Sequence, residues 1–109
     1  NVWGTWCPEC YAEHAVLLDI QKEGKVALLG LNYQDDDDKA RQWLVQLGNP
    51  FEAVAVDREG RASIDYGVYG APETFLVNPE GIIVHKVVGQ ITGRSWQDMR
   101  SRFIEGARP

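Results

Sequence analysis

Both cysteines of the sequence fall in Trp6-Cys7-Pro8-Glu9-Cys10. Two thiols with two residues between them can close a disulfide across one turn and reopen it by exchange with another thiol. The motif stands where an apolar strand gives way to a helical pattern. Cys7 therefore lies at a helix N-terminus, where unpaired N–H groups and the positive dipole end favour its thiolate, the nucleophile of exchange. Cys7 is the expected attacking sulfur and Cys10 the resolving one. Pro8, at the first helical position, gives up no hydrogen bond and fixes the bridge with a φ already suited to a helix. Trp6 is placed to shelter the sulfurs from water.

Glu9 inside the bridge and Glu13, three residues past Cys10, are carboxylates near the sulfurs, and a carboxylate close to a thiolate disfavours its charged form. Weaker thiolate stabilisation leaves the reduced couple less stable, so it is expected to donate electrons rather than extract them. Glu13, one helical turn on, could also take the proton of Cys10 as a mixed disulfide resolves. Other uses of two cysteines compete with this one. A zinc site closes with four ligands, yet there is no second cysteine pair, and His14 and His85 lack the spacing of a zinc finger. A copper-delivering module would need Cys7, Cys10 and a histidine, and a permanently closed structural disulfide would need the two cysteines alone. Redox exchange fits the pattern best, with no metal and no cofactor beyond the disulfide itself.

The elements that must hold this motif follow from periodicity. Val2-Trp3 reads as the end of a strand, and Pro8 to Glu23 as an amphipathic helix with Tyr11, Ala15, Leu18 and Ile20 inward. Gly24 suits its C-cap, and Lys25 to Tyr33, almost continuously apolar, reads as a buried strand. A helix from Asp36 to Leu47 carries Ala40, Trp43, Leu44 and Leu47 at helical spacing and stops at Gly48-Asn49-Pro50. Ala53 to Val56 is a short strand, Ala62 to Tyr66 a brief helix, and Gly67 to Pro72 a loop. Glu73 to Val77 and Ile82 to Val88 form a hairpin about Asn78-Pro79-Glu80-Gly81. Ser95 to Glu105, with Trp96, Met99 and Phe103, closes the chain as a helix. The order implies one α/β domain over residues 1–109, a central mixed sheet with helices on both faces.

A chain of 109 residues suits one core, and its 44% hydrophobic and 25% charged content excludes a disordered or fibrous class. The formal charge of -5 argues against binding nucleic acid or anionic lipid. All of it lies in residues 1–54, which hold 4 of the 11 basic and 9 of the 16 acidic residues. No apolar run approaches the roughly 18 to 20 residues that span a bilayer. The sequence enters its motif without an initiator Met or leader, which reads as the remainder of a longer precursor.

Two stretches together carry a family resemblance. Asn1 to His14, with the cysteine motif, and Gly67-Val68-Tyr69-Gly70-Ala71-Pro72-Glu73-Thr74-Phe75 resemble thioredoxin-fold proteins of cytochrome c biogenesis, the DsbE/CcmG type, with Asn32 to Asp36 and Leu47 to Pro50 similar as well. The resemblance implies a thioredoxin-like fold with a helix-strand insert, here Asp36 to about Asp57, tethered to the periplasmic side of the bacterial inner membrane through an anchor that, with an N-terminal strand, is expected to belong to the precursor and to be missing from this sequence. It implies a reductant that keeps the haem-attachment cysteines of apocytochrome c reduced, directly or through a partner thiol protein. A membrane donor of the DsbD or CcdA kind would re-reduce it, and it would work as a monomer. Cys7 and Cys10 match the family's nucleophile and resolving thiol, Pro72 its cis-proline facing the disulfide, and Glu13 and Glu73 its acidic residues beside the site. Tyr69, Gly70, Ala71 and Pro72 would meet the substrate. Glu9 stands where relatives vary. A TlpA- or ResA-like reductase for another extracytoplasmic client shares Trp3 to Cys7 and Glu13, but the Gly67 to Phe75 segment favours the DsbE type.

The other conspicuous residues read as structural. Asp35 to Asp38 favour a helix N-terminus. Trp43 and Trp96 belong to the core, His14 to edge packing and His85 to the hairpin. Arg94, Arg100, Arg102 and Arg108 read as a solvated helix face.

Overall fold

The computed structural model describes residues 1–105. Five strands, β1 (Val2–Trp3), β2 (Leu29–Tyr33), β3 (Ala53–Asp57), β4 (Glu73–Val77) and β5 (Ile83–Val88), form one sheet in the order β3-β2-β1-β4-β5. β1, β2 and β3 run parallel, and β4 pairs antiparallel with both β1 and β5. The helices are α1 (Pro8–Glu23), α2 (Asp37–Leu47), α3 (Arg61–Asp65) and α4 (Gly93–Met99), and a π-helical turn over Arg100–Glu105 extends α4. The mixed sheet with flanking helices is the architecture expected, with three local differences.

Coverage of the sheet is uneven. Parallel crossovers are right-handed, and β1-α1-β2 and β2-α2-β3 step the same way across the sheet, so α1 and α2 share a face. Contacts agree: Trp43 of α2 meets His14 of α1 edge-on and lies against Trp3. Trp3, Leu17, Trp43, Phe51, Ile91, Trp96 and Met99 fill the core on this face. Burying a side chain of this size contributes about 1.5–3 kcal/mol. Among the described residues the other face carries only α3, whose end Tyr66 packs on Phe75. Leu29 therefore stays more than half exposed. This explains the first difference: β2 begins at Leu29 rather than Lys25, and it alternates in burial instead of being buried throughout.

The second difference concerns α1. Its inward stripe is Cys10, Glu13, His14, Leu17 and Ile20, while Tyr11 and Ala15 are exposed and Leu18 is half-buried. The inward face holds a carboxylate and an imidazole, so apolar periodicity placed Ile20 correctly but put Tyr11 and Ala15 on the wrong side. The third concerns the closing helix, which starts at Gly93 behind the capping box of Thr92 and Ser95 and loosens to the π turn at Arg100. Arg100 is not solvated there, since it pairs with Glu23 at 2.7 Å and ties α4 to the end of α1. Arg108 lies outside the described residues. Among the described residues no helix is long and apolar enough to cross a membrane.

Candidate active site

The short strand β1 delivers the motif. After Trp3 the chain bends through Gly4 and Thr5, and Cys7 N–H donates to the Gly4 carbonyl at 3.2 Å. Cys7 is the N-cap of α1 with an extended backbone, and its Sγ accepts from the Cys10 N–H at 3.2 Å. The first turn thus aims the Cys10 amide, which it shares with the Cys7 carbonyl at 3.1 Å, at the first sulfur, and this favours its thiolate once reduced. Pro8 occupies the first turn, as expected. Cys7 and Cys10 are joined by a disulfide with Cα atoms 5.3 Å apart, and both residues are buried.

Two fixtures hold the bend, and neither was anticipated. Asp35, just past β2, accepts from Thr5 N–H and Thr5 Oγ1, each at 2.7 Å, and from Asn32 Nδ2 at 3.0 Å. Burial pushes the Asp35 carboxyl up, but these hydrogen bonds outweigh it and hold the group below the usual range. The four aspartates therefore divide their work. Asp36 caps α2 through the Lys39 N–H, Asp37 pairs with Arg58, and Asp38 pairs with Arg41. The second fixture is Gly4, where a Cβ would lie 2.4 Å from Trp6 Nε1. The bare glycine lets the half-exposed indole fold back and donate to the Tyr33 carbonyl at 3.0 Å. Trp6 is thus anchored to β2 and forms one wall of a groove of about 540 Å³ beside the motif, with Tyr11, Gln34 and Trp43 as other walls.

Glu13 lies one turn beyond Cys10 on the same inward face and is wholly buried. Its Oε1 accepts from the Ile91 N–H at 3.1 Å and its Oε2 from Asn1 Nδ2 at 2.9 Å. Asn1 also reaches Thr74 Oγ1 at 3.0 Å, joining β1 and β4 beneath the site. Burial raises the Glu13 carboxyl above its ordinary value against the opposing hydrogen bonds from Ile91 and Asn1, and the charge of Glu9 adds to the rise. Glu9 is exposed and leans toward Gly89, where a Cβ would be 3.9 Å from its Oε2.

The loop before β4 comes up against the same end of the sheet. Val2 pairs with Glu73 in antiparallel register, so the steps back to Pro72 and Ala71 run alongside the steps forward from Trp3. The Ala71-Pro72 bond is cis, and Ala71 packs against the core cluster that includes both cysteines. Glu73 Oε2 accepts from Tyr69 N–H at 2.9 Å and Gly70 N–H at 3.3 Å, which folds the loop back on its own carboxylate. Tyr69 is 94% exposed at the tip.

His14 was read as edge packing but is buried between helices. Its Nε2 meets the Gly48 carbonyl at 2.9 Å and its Nδ1 meets Trp43 Nε1 at 3.4 Å. With both ring nitrogens engaged, it is a poor third ligand for a metal on the two sulfurs. Among the described residues there is no group of three or more His, Cys, Asp or Glu side chains that could hold a metal ion. His85 stacks on Phe103 as a packing residue.

Comparison with known proteins agrees with this geometry. The Redoxin family matches residues 1–100. The thiol:disulfide interchange protein DsbE of Vibrio cholerae is 52% identical over 105 residues, covering 96% of this chain and 56% of its own length. The DsbE of Haemophilus influenzae is 49% identical, covering 88% of this chain and 52% of its own length. The chain thus spans about half the length of the curated relatives it matches. A candidate thioredoxin of Neisseria meningitidis superposes with a TM-score of 0.80 at 22% identity, covering 96% of this chain and 74% of the other. The fold is therefore thioredoxin-like, and the chain belongs to the Redoxin family.

Proposed function

We propose that this chain is the catalytic domain of a thiol-disulfide oxidoreductase that acts as a reductant in cytochrome c maturation. The observation that carries the reading is the Cys7–Cys10 pair at the start of α1 with the buried Glu13 one turn beneath it. In the reduced form the Cys7 thiolate attacks a client disulfide. One client sulfur leaves as a thiolate and takes a proton, and a mixed disulfide forms. Cys10 then gives its proton to the Glu13 carboxylate and attacks Cys7 Sγ. The Cys7–client bond breaks, the second client sulfur leaves as a thiolate that takes a proton from solvent, and the Cys7–Cys10 disulfide closes, so two electrons pass to the client. Tyr69, Gly70, Ala71 and Pro72 would dock the client backbone beside the sulfurs.

The client class, the haem-attachment cysteines of apocytochrome c met directly or through a partner thiol protein, is what the family resemblance of Asn1 to His14 and Gly67 to Phe75 implies, and the similarity to thiol:disulfide interchange proteins is consistent with it. The same likeness supports work on the periplasmic side of the bacterial inner membrane, with re-reduction by a membrane donor of the DsbD or CcdA kind. The electron-donating direction is supported by the raised, buried Glu13 and the nearby Glu9. Incubating the Cys10→Ser variant with an oxidised peptide bearing the Cys-X-X-Cys-His haem-attachment pattern tests the reading. A mixed disulfide through Cys7 is expected, and Cys7→Ser is expected to trap none. Equal trapping by both variants, or none by either, would overturn the assigned roles.

A further inference from the structure

Lys86 of β5 stands directly opposite Phe75 in the β4–β5 register. It therefore shares the α3 side of the sheet with Glu73, two residues back from Phe75. Its Nζ lies 2.9 Å from Glu73 Oε1 and donates to the Gly67 carbonyl at 3.2 Å, with the Phe75 ring centroid 5.3 Å away. The Glu73 side chain is only 4% exposed, and its other oxygen holds the Tyr69 and Gly70 amides. One ammonium and one carboxylate thus pin the start, middle and end of the Gly67–Glu73 loop. The other ties lie toward the two ends of the loop: the buried Val68 donates to the Ser63 carbonyl and the Pro72 carbonyl accepts from Gly89 N–H, each at 2.9 Å, which leaves the Tyr69 and Gly70 amides to Glu73. Gly67, at φ 73°, and Gly70 both face open space where a side chain would go, and glycine restrains a backbone least.

We infer that Lys86 is a positioning residue for client docking: it neutralises the buried Glu73 and shapes the loop that presents Tyr69, Gly70 and Ala71 beside the disulfide. The inference rests on the exchange function proposed above. Without the cation, a buried carboxylate is left uncompensated, and the loop amides lose a well-placed acceptor. A charged pair that only added stability would leave client affinity alone.

Lys86→Met and Lys86→Arg separate these roles. Steady-state reduction of an oxidised Cys-X-X-Cys peptide should show KM raised about tenfold in Lys86→Met, the scale of one charge-assisted hydrogen bond, with kcat moved less than twofold. Lys86→Arg, which keeps the charge and the donors, should bring KM back to within about threefold of the parent. Amide hydrogen exchange at Tyr69 and Gly70 should quicken about tenfold in Lys86→Met while the β1 and β2 amides keep their protection. A parent-like KM in Lys86→Met, equal losses in both variants, or unchanged Tyr69 and Gly70 protection would overturn the inference. If the parent chain itself reduces no peptide, the exchange reading fails, and the amide measurement still decides whether Lys86 holds the loop.

Discussion

Replacing Glu13 by Gln tests the buried carboxylate most sharply, because the site can accept the amide. The Gln carbonyl can keep the Ile91 N–H, now 3.1 Å from Glu13 Oε1. Its new NH2 then faces Asn1, whose Oδ1 is buried without a partner and can turn to accept it. Both hydrogen bonds survive in number, and only their charge assistance is lost, about 1 kcal/mol, against the relief of no longer burying a charge. Stability at pH 7 should therefore change by less than about 1 kcal/mol. The pH dependence should change more. The folded carboxyl lies above its unfolded value of about 4.3, so the stability of the parent falls as pH rises from there through the folded value. Glu13→Gln should lack that decline. Stopped-flow measurement of mixed-disulfide resolution between pH 5 and 9 should show a loss of about 10²-fold where the parent carboxylate is ionised, typical of a missing general base. An unchanged rate and an unchanged pH profile in a folded variant would remove the proton role.

Two glycines carry further predictions. Gly4→Ala should drive the Trp6 indole off the Tyr33 carbonyl, because its Cβ would lie 2.4 Å from Nε1. The Trp6 indole N–H resonance should shift to a solvent-exposed position with a stability loss of about 1 kcal/mol, and an unmoved resonance would contradict the packing. Gly30→Ala would put a Cβ 2.9 Å from both the Phe51 ring and Trp3 Nε1, in a stacked aromatic pair with no room to give. Chemical denaturation should show a loss of about 1–3 kcal/mol, and parent-like stability would refute the assigned contact.

What could be read before folding was the chemistry held in short sequence windows. The Cys7–Cys10 pair, Pro8 at the helix start, and Glu13 one turn on depend only on helical spacing. The hairpin about Asn78–Gly81 and the cap at Gly24 depend on local turn chemistry. Residues acting across the fold left no such trace. Asn1 meets Glu13 and Thr74 only because β1 lies between α1 and β4. Asp35 reaches Thr5 only once β2 lies beside β1. Gly4 matters through the position of the Trp6 ring, and Lys86 through strand register. The inward face of α1 was misread for a related reason. Apolar periodicity marks a core face only when the core is apolar, and here Glu13 and His14 fill it. Had the sheet been covered evenly on both sides, the apolar run before Tyr33 would have been buried as expected.

The reduction potential of the Cys7–Cys10 couple, equilibrated against a thiol buffer, tests the central claim most directly. A reductant site with Glu13 beneath the sulfurs and Glu9 between them should lie near or below the thioredoxin level of about -270 mV. A value near the DsbA level of about -120 mV would mark an oxidant and contradict the account.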